Sequence, residues 1–448
     1  MALTGLQIFK LMPKTNCKEC GHPTCLAFSM ALASSKIALD ACPYVSDEAK
    51  EALGMASAPP VAKIIFGTRD KMREMGDEVV LFRHDKQFFH PTCLAVTIDD
   101  DLNDDDFGAR LSEINALIFE RVGERVTIDA AALVNKSGNP DTFAKRAKQI
   151  AGAVFAPVLV SDSPDALAKA LDVCAAEKPL LCGAREDNWE AVAALAKQND
   201  CPLVVSADSL DGLTALAEKV SGFTKNIVLG VSSAAPVQKL AELTQIRRQA
   251  IRRKTRHLGY PSFVSVCGKD LYEQAAEASV YISKYASIVM LDVTDKAALL
   301  PLCALRQNLF SDPQKPAQVE PGIFPIGEAD EKSPVYITTN FSLTYYTVEG
   351  ELSSARIPCW LAAAPTDGTS VLTAWAAGKF VADKIAEFME ELKLSEKFPH
   401  KTIVIPGYVA VLKAGIEEKS GWKVMIGPNE ASGIPAFAKT NFGSDKNA

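Results

Sequence analysis

Short apolar runs recur along residues 93–292 and alternate with stretches whose apolar residues are spaced by three and four. The first pattern is typical of buried parallel strands and the second of amphipathic helices. The predicted strands are 93–99, 125–134, 155–161, 179–183, 202–206, 225–230, 262–267 and 287–292. The predicted helices between and after them include 165–176, 188–198, 210–220, 236–253, 271–285 and 295–308.

Strands that alternate with helices in this way predict a (β/α)8, TIM-like barrel over residues 93–312. A doubly wound open sheet ranks second, because it would need fewer strands and a reversal of strand order. Barrel enzymes carry their chemistry at the carboxyl ends of the strands. Here those positions offer neither paired carboxylates nor histidine: Asp99, Asn135, Ser161, Gly183, Ser206, Gly230, Cys267 and Asp292. The barrel is therefore expected to be a scaffold rather than a catalyst.

A second α/β pattern occupies residues 325–448 and predicts a small Rossmann-like domain. Its predicted strands are 335–340, 359–364, 401–407 and 422–428, and its predicted helices are 370–393, 408–420 and 430–438. Each strand ends in small or hydroxylated residues, as ligand-binding loops do. Neither a G-x-G-x-x-G nor a Walker sequence occurs. The pattern favours a large ligand rich in carbonyl and amide groups, although a purely structural domain with polar turns would look similar.

Length and charge narrow the possible functions. The 448 residues correspond to about three domains. The net charge of −7 argues against a general nucleic-acid or anionic-membrane binder, since both need a basic face. No apolar run approaches the roughly 18 residues of a membrane span, and the N-terminus lacks the layout of a signal peptide. A soluble, cytoplasmic protein is expected.

Eleven cysteines are the unusual feature of the composition, and four of them fall within the first 42 residues. Cys17, Cys20, Cys25 and Cys42 follow the pattern C-x2-C-x4-C-x16-C-P. A tight loop with three thiolates and a distant fourth can enclose a [4Fe-4S] cluster, and the final Cys-Pro is typical of bacterial clusters. Structural zinc is the main alternative, but it usually shows two C-x2-C pairs or a Cys/His mixture. Four unrelated thiols are a further alternative, and the seven scattered cysteines are expected to be buried free thiols.

These patterns predict four segments. Residues 1–57 form a small cluster domain, with the cluster itself as much of its core. Residues 58–92 form a linker, because small residues and a Pro pair precede a mixed stretch that the pattern does not assign. The barrel, 93–312, and the Rossmann-like domain, 325–448, follow.

Two charged runs have ordinary interpretations beside functional ones. The acidic residues 99–101 and 104–106 are expected to form a solvated loop rather than a cation site. Arg248, Arg252 and Arg256 are spaced to share one face of a helix. That face is interpreted as solvated, with docking of an acidic partner protein as the alternative.

Four motifs together resemble a known family. They are NCKECGHPTCLAFSMALA with DACPY, PVYITTNFSLTYYTVEGE, TDGTSVLTAWAAGKF and GPNEASGIPAF. The chain resembles the large (gamma) subunits of corrinoid iron–sulfur proteins of the acetyl-CoA synthase, or Wood–Ljungdahl, pathway. The resemblance covers nearly the whole chain, and its motifs occur in the order of the family.

The resemblance implies a methyl carrier, a corrinoid methyltransferase component rather than a stand-alone enzyme. A base-off cobamide in the C-terminal domain would accept a methyl group from methyltetrahydrofolate through a methyltransferase and deliver it to acetyl-CoA synthase. The [4Fe-4S] cluster would reactivate Co(II) by reduction, and the small subunit of the corrinoid iron–sulfur protein would complete a heterodimer. The rival hypotheses are an iron–sulfur electron-transfer protein or corrinoid activator with a different C-terminal ligand, and a barrel enzyme with a zinc-stapled appendage.

The resemblance also implies site residues. The cluster ligands would be Cys17, Cys20, Cys25 and Cys42. The corrinoid contacts would be Thr339, Asn340, Thr344, Tyr346, Gly368, Thr369, Ser370, Val371, Leu372, Thr373, Ala431, Ser432 and Gly433. Many corrinoid enzymes bind cobalt through the His of an Asp-x-His-x-x-Gly motif, which this chain lacks. His400 is the one histidine in the C-terminal region, so cobalt without a protein axial ligand is expected.

Overall fold

A computed structural model describes residues 5–33, 37, 39–46, 49, 59–121, 123–312 and 316–443. Its strands are β1 Ile64–Phe66, β2 Arg73–Met75, β3 Cys93–Asp99, β4 Ile118–Arg121, β5 Glu124–Thr127, β6 Ala130–Val134, β7 Ala156–Val160, β8 Leu180–Ala184, β9 Leu203–Ala207, β10 Ile227–Val231, β11 Ser262–Ser265, β12 Ile288–Leu291, β13 Gly322–Ile326, β14 Val335–Thr339, β15 Cys359–Ala364, β16 Thr402–Ile405 and β17 Lys423–Ile426.

The α-helices are Gly5–Leu11, Cys25–Ala33, Asp104–Asn115, Pro140–Ala151, Pro164–Cys174, Trp189–Asn199, Leu210–Ser221, Pro236–Arg248, Leu271–Ser283, Lys296–Phe310, Ser342–Ala355, Val371–Ala376, Ala382–Glu391, Leu394–Lys397, Lys413–Ser420 and Ile434–Phe442. By their contacts the residues divide into two compact units. One comprises Met1–Ile118 and Thr127–Phe310, and the other comprises Phe119–Val126 and Ser311–Ala448.

The first unit contains the predicted barrel. Eight parallel strands close in the order β3, β6, β7, β8, β9, β10, β11 and β12, and β12 pairs with β3. Their near-continuous apolar sequences fit strands that are buried on both faces. Small residues such as Ala95, Ala130 and Ala132 point into the same interior core as Val158 and Val204. The (β/α)8 prediction is confirmed.

The β1–β2 hairpin belongs to the part of the chain that the pattern left unassigned. Its Ile64, Phe66 and Met75 are buried in the same core as Cys93 and Ala156. The hairpin therefore contributes to the interior of the barrel.

An ionic network joins this hairpin to the barrel. The Asp129 carboxylate lies 3.2 Å from Arg73 Nε and also pairs with Arg306. It accepts a hydrogen bond from Leu94 N at 2.9 Å as well. The side chains of Arg306 and Asp129 are only 9% and 14% exposed. Water therefore stabilises neither charge well, and each is stabilised mainly by the opposite charge of the other.

Two strand and helix predictions need correction. The predicted strand 125–134 is divided: Glu124–Thr127 pairs antiparallel with Ile118–Arg121 as a separate hairpin, and only Ala130–Val134 enters the barrel. The predicted helix 236–253 ends at Arg248 and is followed by a π-turn, Gln249–Arg253. Lys254 then takes a left-handed conformation with φ 54°.

The charged runs differ from their predicted form as well. Arg256 lies in a 3-10 turn beyond Lys254, so the three arginines do not share one helix face. Arg247, which precedes them, is buried 3.4 Å from Glu78. The acidic run is not simply a solvated loop, because Asp100 is fully buried and accepts hydrogen bonds from Lys136 N and Ser137 N.

The second unit contains a five-stranded sheet in the order β13, β15, β14, β16, β17. The last four strands are parallel, as predicted, while β13 is an antiparallel edge strand that was not predicted. The helix Ser342–Ala355 was not predicted either. The predicted helix 370–393 is two helices, interrupted at Gly378, which has φ 68°. None of the described helices is long and apolar enough to cross a membrane.

We predict that Asp129→Asn destabilises the barrel by about 3–5 kcal/mol, because two poorly exposed guanidinium groups lose their counter-charge. The measurement is the free energy of the barrel's unfolding transition in urea. The control is Asp141→Asn, whose carboxylate pairs with Lys169 at 2.6 Å but whose side chain is 80% exposed. The control should cost less than about 1 kcal/mol. Equal losses in the two variants would contradict a dominant role for the buried network.

Candidate functional site

Three of the four N-terminal cysteines belong to one small apolar core. Cys25 and Cys42 are buried in it with Phe28, and Cys20 packs against it while Cys17 is exposed. Tyr44 lies beside this group and donates a hydrogen bond to Glu19 at 2.9 Å. That carboxylate raises the pKa of Tyr44, and Cys17 and Cys42 add smaller effects of the same sign.

The loop that carries these thiols has an unusual backbone. Lys14, Asn16 and Lys18 have φ values of 60°, 48° and 69°, and Gly21 has 76°. Each left-handed conformation costs a non-glycine residue about 1–2 kcal/mol. Four left-handed residues within eight positions give this loop the tight, irregular turns that a cluster-binding loop needs.

The loop is tied to the helix that follows it. Asn16 Oδ1 accepts a hydrogen bond from Cys25 N at 2.8 Å, and Cys25 is the first residue of Cys25–Ala33. Within the described residues, no three His, Cys, Asp or Glu side chains lie close enough to hold a single metal ion.

In the second unit, Asn340 organises the carboxyl edge of the sheet. It follows β14 and is 1% exposed. Its Oδ1 accepts hydrogen bonds from Thr366 N at 3.0 Å, Thr366 Oγ1 at 3.0 Å and Gly368 N at 3.1 Å. Its Nδ2 donates to Gln318 Oε1 at 2.9 Å and Val319 O at 3.2 Å. Asn340 therefore fixes the loop that follows β15, and its polar groups are occupied within the protein.

A cavity of about 140 Å³ opens at the same edge. Its walls come from β14, β16 and the loops after them, together with the helices Ser342–Ala355 and Ile434–Phe442. Three of the predicted contact residues, Thr344, Val371 and Ala431, line it. Tyr336 and Thr338 also line it, and their hydroxyl oxygens are buried without a hydrogen-bond partner. Because an unpaired buried hydroxyl is costly, Thr338, near the carboxyl end of β14, points to a ligand that would complete it. Tyr336 lies earlier on β14, and its ring packs against Phe442.

The remaining predicted contacts, among them Thr339, Ser370 and Tyr346, do not line this cavity. Thr339 is buried and also lacks a partner for its Oγ1, but strand alternation turns it to the opposite face of β14. Ser370 and Thr373 pair their hydroxyls at 3.0 Å, and Thr369 Oγ1 donates to Thr366 O at 2.6 Å. Tyr346 does not line the cavity.

Two of the predicted contacts are glycines, Gly368 and Gly433, and Gly407 is a third glycine in a tight loop at this edge. Gly368 has φ 65°, and a Cβ there would lie 2.9 Å from Pro316 O. Ser432 and Gly433 belong to the 3-10 turn Ala431–Gly433, where a Cβ on Gly433 would lie 2.9 Å from Pro428 Cβ. A Cβ on Gly407 would lie 2.5 Å from Asn429 Oδ1. These loops approach one another too closely for larger residues.

Large apolar side chains remain exposed on the first turns beyond the strands. They are Leu343, Leu372, Trp375, Tyr408 and Val411. All follow the carboxyl ends of β14, β15 or β16, so they form an apolar rim at the edge that carries the cavity. A rim of this kind is typical of a ligand or partner surface.

His400 lies at the other edge of the sheet, just before β16. Its Nδ1 accepts a hydrogen bond from Thr402 N at 3.0 Å, and its Nε2 lies 3.2 Å from Ser333 O. Both ring nitrogens are engaged, so the imidazole is not directed at the cavity.

The carboxyl ends of the barrel strands carry no activated thiol. Burial raises the pKa of Cys182 to about 12 and that of Cys267 to about 11. Asn135 Nδ2 donates to Ser161 Oγ at 2.9 Å. The thiols of Cys182 and Cys267 stay protonated at neutral pH.

Several lining residues were not predicted, namely Tyr336, Val348, Val404, Tyr408, Asn429 and Ile434. Two of them had a signal in the sequence. Val348 lies one helical turn after Thr344, and Tyr336 lies on the same strand face as Thr338. The remaining ones are brought in by tertiary packing.

The chain matches known families over most of its length. A family model described as the CO dehydrogenase/acetyl-CoA synthase delta subunit matches residues 63–438, and an Fe-S cluster family matches residues 12–44. The chain is 48% identical to the corrinoid/iron-sulfur protein large subunit of Moorella thermoacetica, over 99% of this chain and 100% of that protein. It is 36% identical to the acetyl-CoA decarbonylase/synthase complex subunit gamma of Methanopyrus kandleri, over 97% of each.

Among solved structures, 7,8-dihydropteroate synthase from Vibrio fischeri is similar with a TM-score of 0.39 and 13% identity. The similarity covers 52% of this chain and 99% of that one. A score this low supports no argument about function.

We predict that Asn340→Ala loosens the loop after β15, because the N–H groups of Thr366 and Gly368 lose a buried acceptor, at about 1–3 kcal/mol. Amide hydrogen exchange in residues 365–370 should accelerate markedly. The control is Asn441→Ala, which removes an amide that donates to Phe437 O within its own helix. Unchanged exchange in the Asn340 variant would show that other contacts hold the loop.

Proposed function

The chain belongs to the CO dehydrogenase/acetyl-CoA synthase delta-subunit family, and from this premise we propose that it is the methyl-carrying corrinoid subunit of an acetyl-CoA synthase system. Membership confirms the resemblance indicated by the cysteine pattern and the C-terminal motifs. The proposed cofactors are a corrinoid in the second unit and a [4Fe-4S] cluster at the N-terminal cysteines. The names of the Moorella and Methanopyrus relatives support this assignment.

The observation that carries the proposal is the carboxyl edge of the five-stranded sheet. It combines an apolar cavity, the buried hydroxyl of Thr338 without a partner, and an exposed apolar rim. A large macrocycle with amide side chains needs an apolar face to lie on and a few polar groups to fix its orientation. The residues present at this edge fit such a ligand.

When bound, the corrinoid would supply a cobalt centre that takes up and releases the methyl group, and the cluster would supply an electron for its reductive reactivation. The protein's own task is to bind, orient and shield. Thr338 would offer its hydroxyl to the ligand, Asn340 would hold the loop of Gly368–Thr373, and the apolar rim would exclude water. His400 lies at the opposite edge of the sheet, which supports a cobalt without an imidazole ligand from this domain.

The cysteine loop fits the proposed cluster by the chemistry of its donors. Cys20, Cys25 and Cys42 belong to one small apolar core, and Cys17 lies in the same loop. Thiolates from such a short segment are the usual ligands of an iron–sulfur cluster. Cys17, Cys20, Cys25 and Cys42 are the proposed ligands.

The proposed partners follow from the same function. A protein named as a large subunit has a small-subunit counterpart, so we propose a heterodimer with that small subunit. A methyltransferase that binds methyltetrahydrofolate would be the donor protein, and acetyl-CoA synthase would be the acceptor.

The proposal is tested by titrating the chain, complexed with the small subunit, with a cobamide under anaerobic conditions and recording the visible spectrum. We expect stoichiometric binding and a spectrum that responds to methyltetrahydrofolate and methyltransferase. An intact complex that contains its cluster but binds no cobamide would contradict the proposal and favour an electron-transfer protein.

We predict opposite effects of Thr338→Val on the empty and the loaded protein. The isosteric change removes a buried hydroxyl without a partner, so the empty protein should gain about 1 kcal/mol in its unfolding free energy. Cobamide affinity should fall, because the ligand loses that hydroxyl. The control is Thr440→Val on an exposed helix face, where Oγ1 bonds only to Ala436 O. A gain in stability with unchanged affinity would remove Thr338 from the site.

We predict that Cys20→Ala abolishes reductive reactivation but leaves methyl transfer by already reduced protein nearly unchanged, because the two steps use different cofactors. Iron and sulfide analysis should show a lost or altered cluster. The control is Cys174→Ala, a buried thiol of the barrel, which should retain its iron. Equal loss of both activities would contradict separate roles.

A further inference from the structure

The short hairpin of β4 and β5 lies within the barrel sequence but belongs by its contacts to the other unit. Residues Phe119–Val126 group with Ser311–Ala448, whereas Ile118 and Thr127 group with the barrel. The hairpin is an insertion between the helix Asp104–Asn115 and β6, which a regular barrel does not require. The barrel fold therefore does not explain why this hairpin packs with residues of the second unit.

The contact centres on Gly123 and Tyr346. Gly123 has φ 69°, and a Cβ built on it would lie 2.0 Å from both Cζ and the hydroxyl oxygen of Tyr346. The tip of the tyrosine ring thus rests directly on the glycine Cα. Any side chain at position 123 would force the ring away by on the order of 1.5 Å.

The other side of the tyrosine ring is also held. Tyr345 and Tyr346 meet edge to face, with ring centroids 5.2 Å apart and planes at 90°. Tyr345 is itself buried against Phe324 of β13. Tyr346 therefore sits between a fixed aromatic ring and the glycine of the hairpin.

This ring belongs to the helix that borders the proposed corrinoid site. The helix Ser342–Ala355 begins directly after the Asn340 loop, and its Thr344 and Val348 line the cavity. We infer that Gly123 is a positioning residue: the hairpin sets the place of Tyr346, and through it the first turns of this helix, for corrinoid binding. The inference rests on the proposed function, which it extends to a residue of the barrel sequence.

The experiment compares Gly123→Ala with Gly138→Ala in the complex with the small subunit. Gly138 has a nearly equal φ of 64°, and a Cβ there would meet nothing within 4 Å, so it reports backbone strain alone. Gly123→Ala should weaken cobamide binding about tenfold, equivalent to about 1.4 kcal/mol. Gly138→Ala should leave the affinity unchanged. Gly123→Ala should also lower the thermal stability more than Gly138→Ala does, because only the Cβ at position 123 meets a side chain.

A double-mutant cycle assigns the effect to the ring. In a Tyr346→Ala background, Gly123→Ala should produce no further loss of affinity, because the ring it would displace is absent. The same tenfold loss in both backgrounds would overturn the inference, as would equal affinities of the Gly123 and Gly138 variants.

Amide exchange of residues 342–349 in the ligand-free protein provides a readout that needs no cobamide. Gly123→Ala should accelerate this exchange and Gly138→Ala should not. If wild-type protein binds no cobamide, the proposed function fails, and equal exchange in the two variants would independently overturn the contact's positioning role.

Discussion

Parallel strand pairing is the constraint on which both units depend. A parallel neighbour can be reached only through a crossover, so the connecting helices cover the faces of the sheet and the strands become apolar throughout. All loops that leave the carboxyl ends then gather at one edge. The barrel uses this edge for buried thiols and a polar pair, Asn135 and Ser161. The five-stranded sheet uses it for a cavity, and Asn340 ties two of the gathered loops together.

The same constraint explains how much of the fold the sequence could predict. Continuous Val, Ile and Leu runs identified every barrel strand, because burial on both faces leaves little else possible. The run 125–134 misled because its apolar alternation continues across two strands that belong to different sheets. The helix Ser342–Ala355 escaped because its Thr, Tyr and Val residues have weak helix propensity, and its formation depends on packing. The π-turn after Arg248 is not indicated by the sequence, because the spacing of apolar residues does not distinguish it from an α-helix.

The two candidate sites also differ in how far the sequence predicts them. Cysteine spacing located the N-terminal site, since ligands close in sequence need little tertiary information. The predicted corrinoid contacts follow from motifs, which do not specify the helical phase of each residue. Thr344 and Val348 share a face one turn apart, whereas Tyr346 lies about 200° from Thr344 around the helix. That phase accounts for the presence of Thr344 in the cavity wall and the absence of Tyr346. The sequence does not indicate that the hydroxyls of Tyr336 and Thr338 are buried without hydrogen-bond partners, because this depends on the tertiary structure.

The inserted hairpin also bears on how such a protein can be divided or recombined. The chain passes between the two units at residues 118–119, 126–127 and 310–311, so the C-terminal unit is not a contiguous piece of sequence. A fragment that began at Ser311 would expose the surface that Gly123 covers on Tyr346. Transplanting this unit onto another carrier would therefore require the hairpin to be supplied as well, and recombination at the apparent domain border would separate two parts of one folded body.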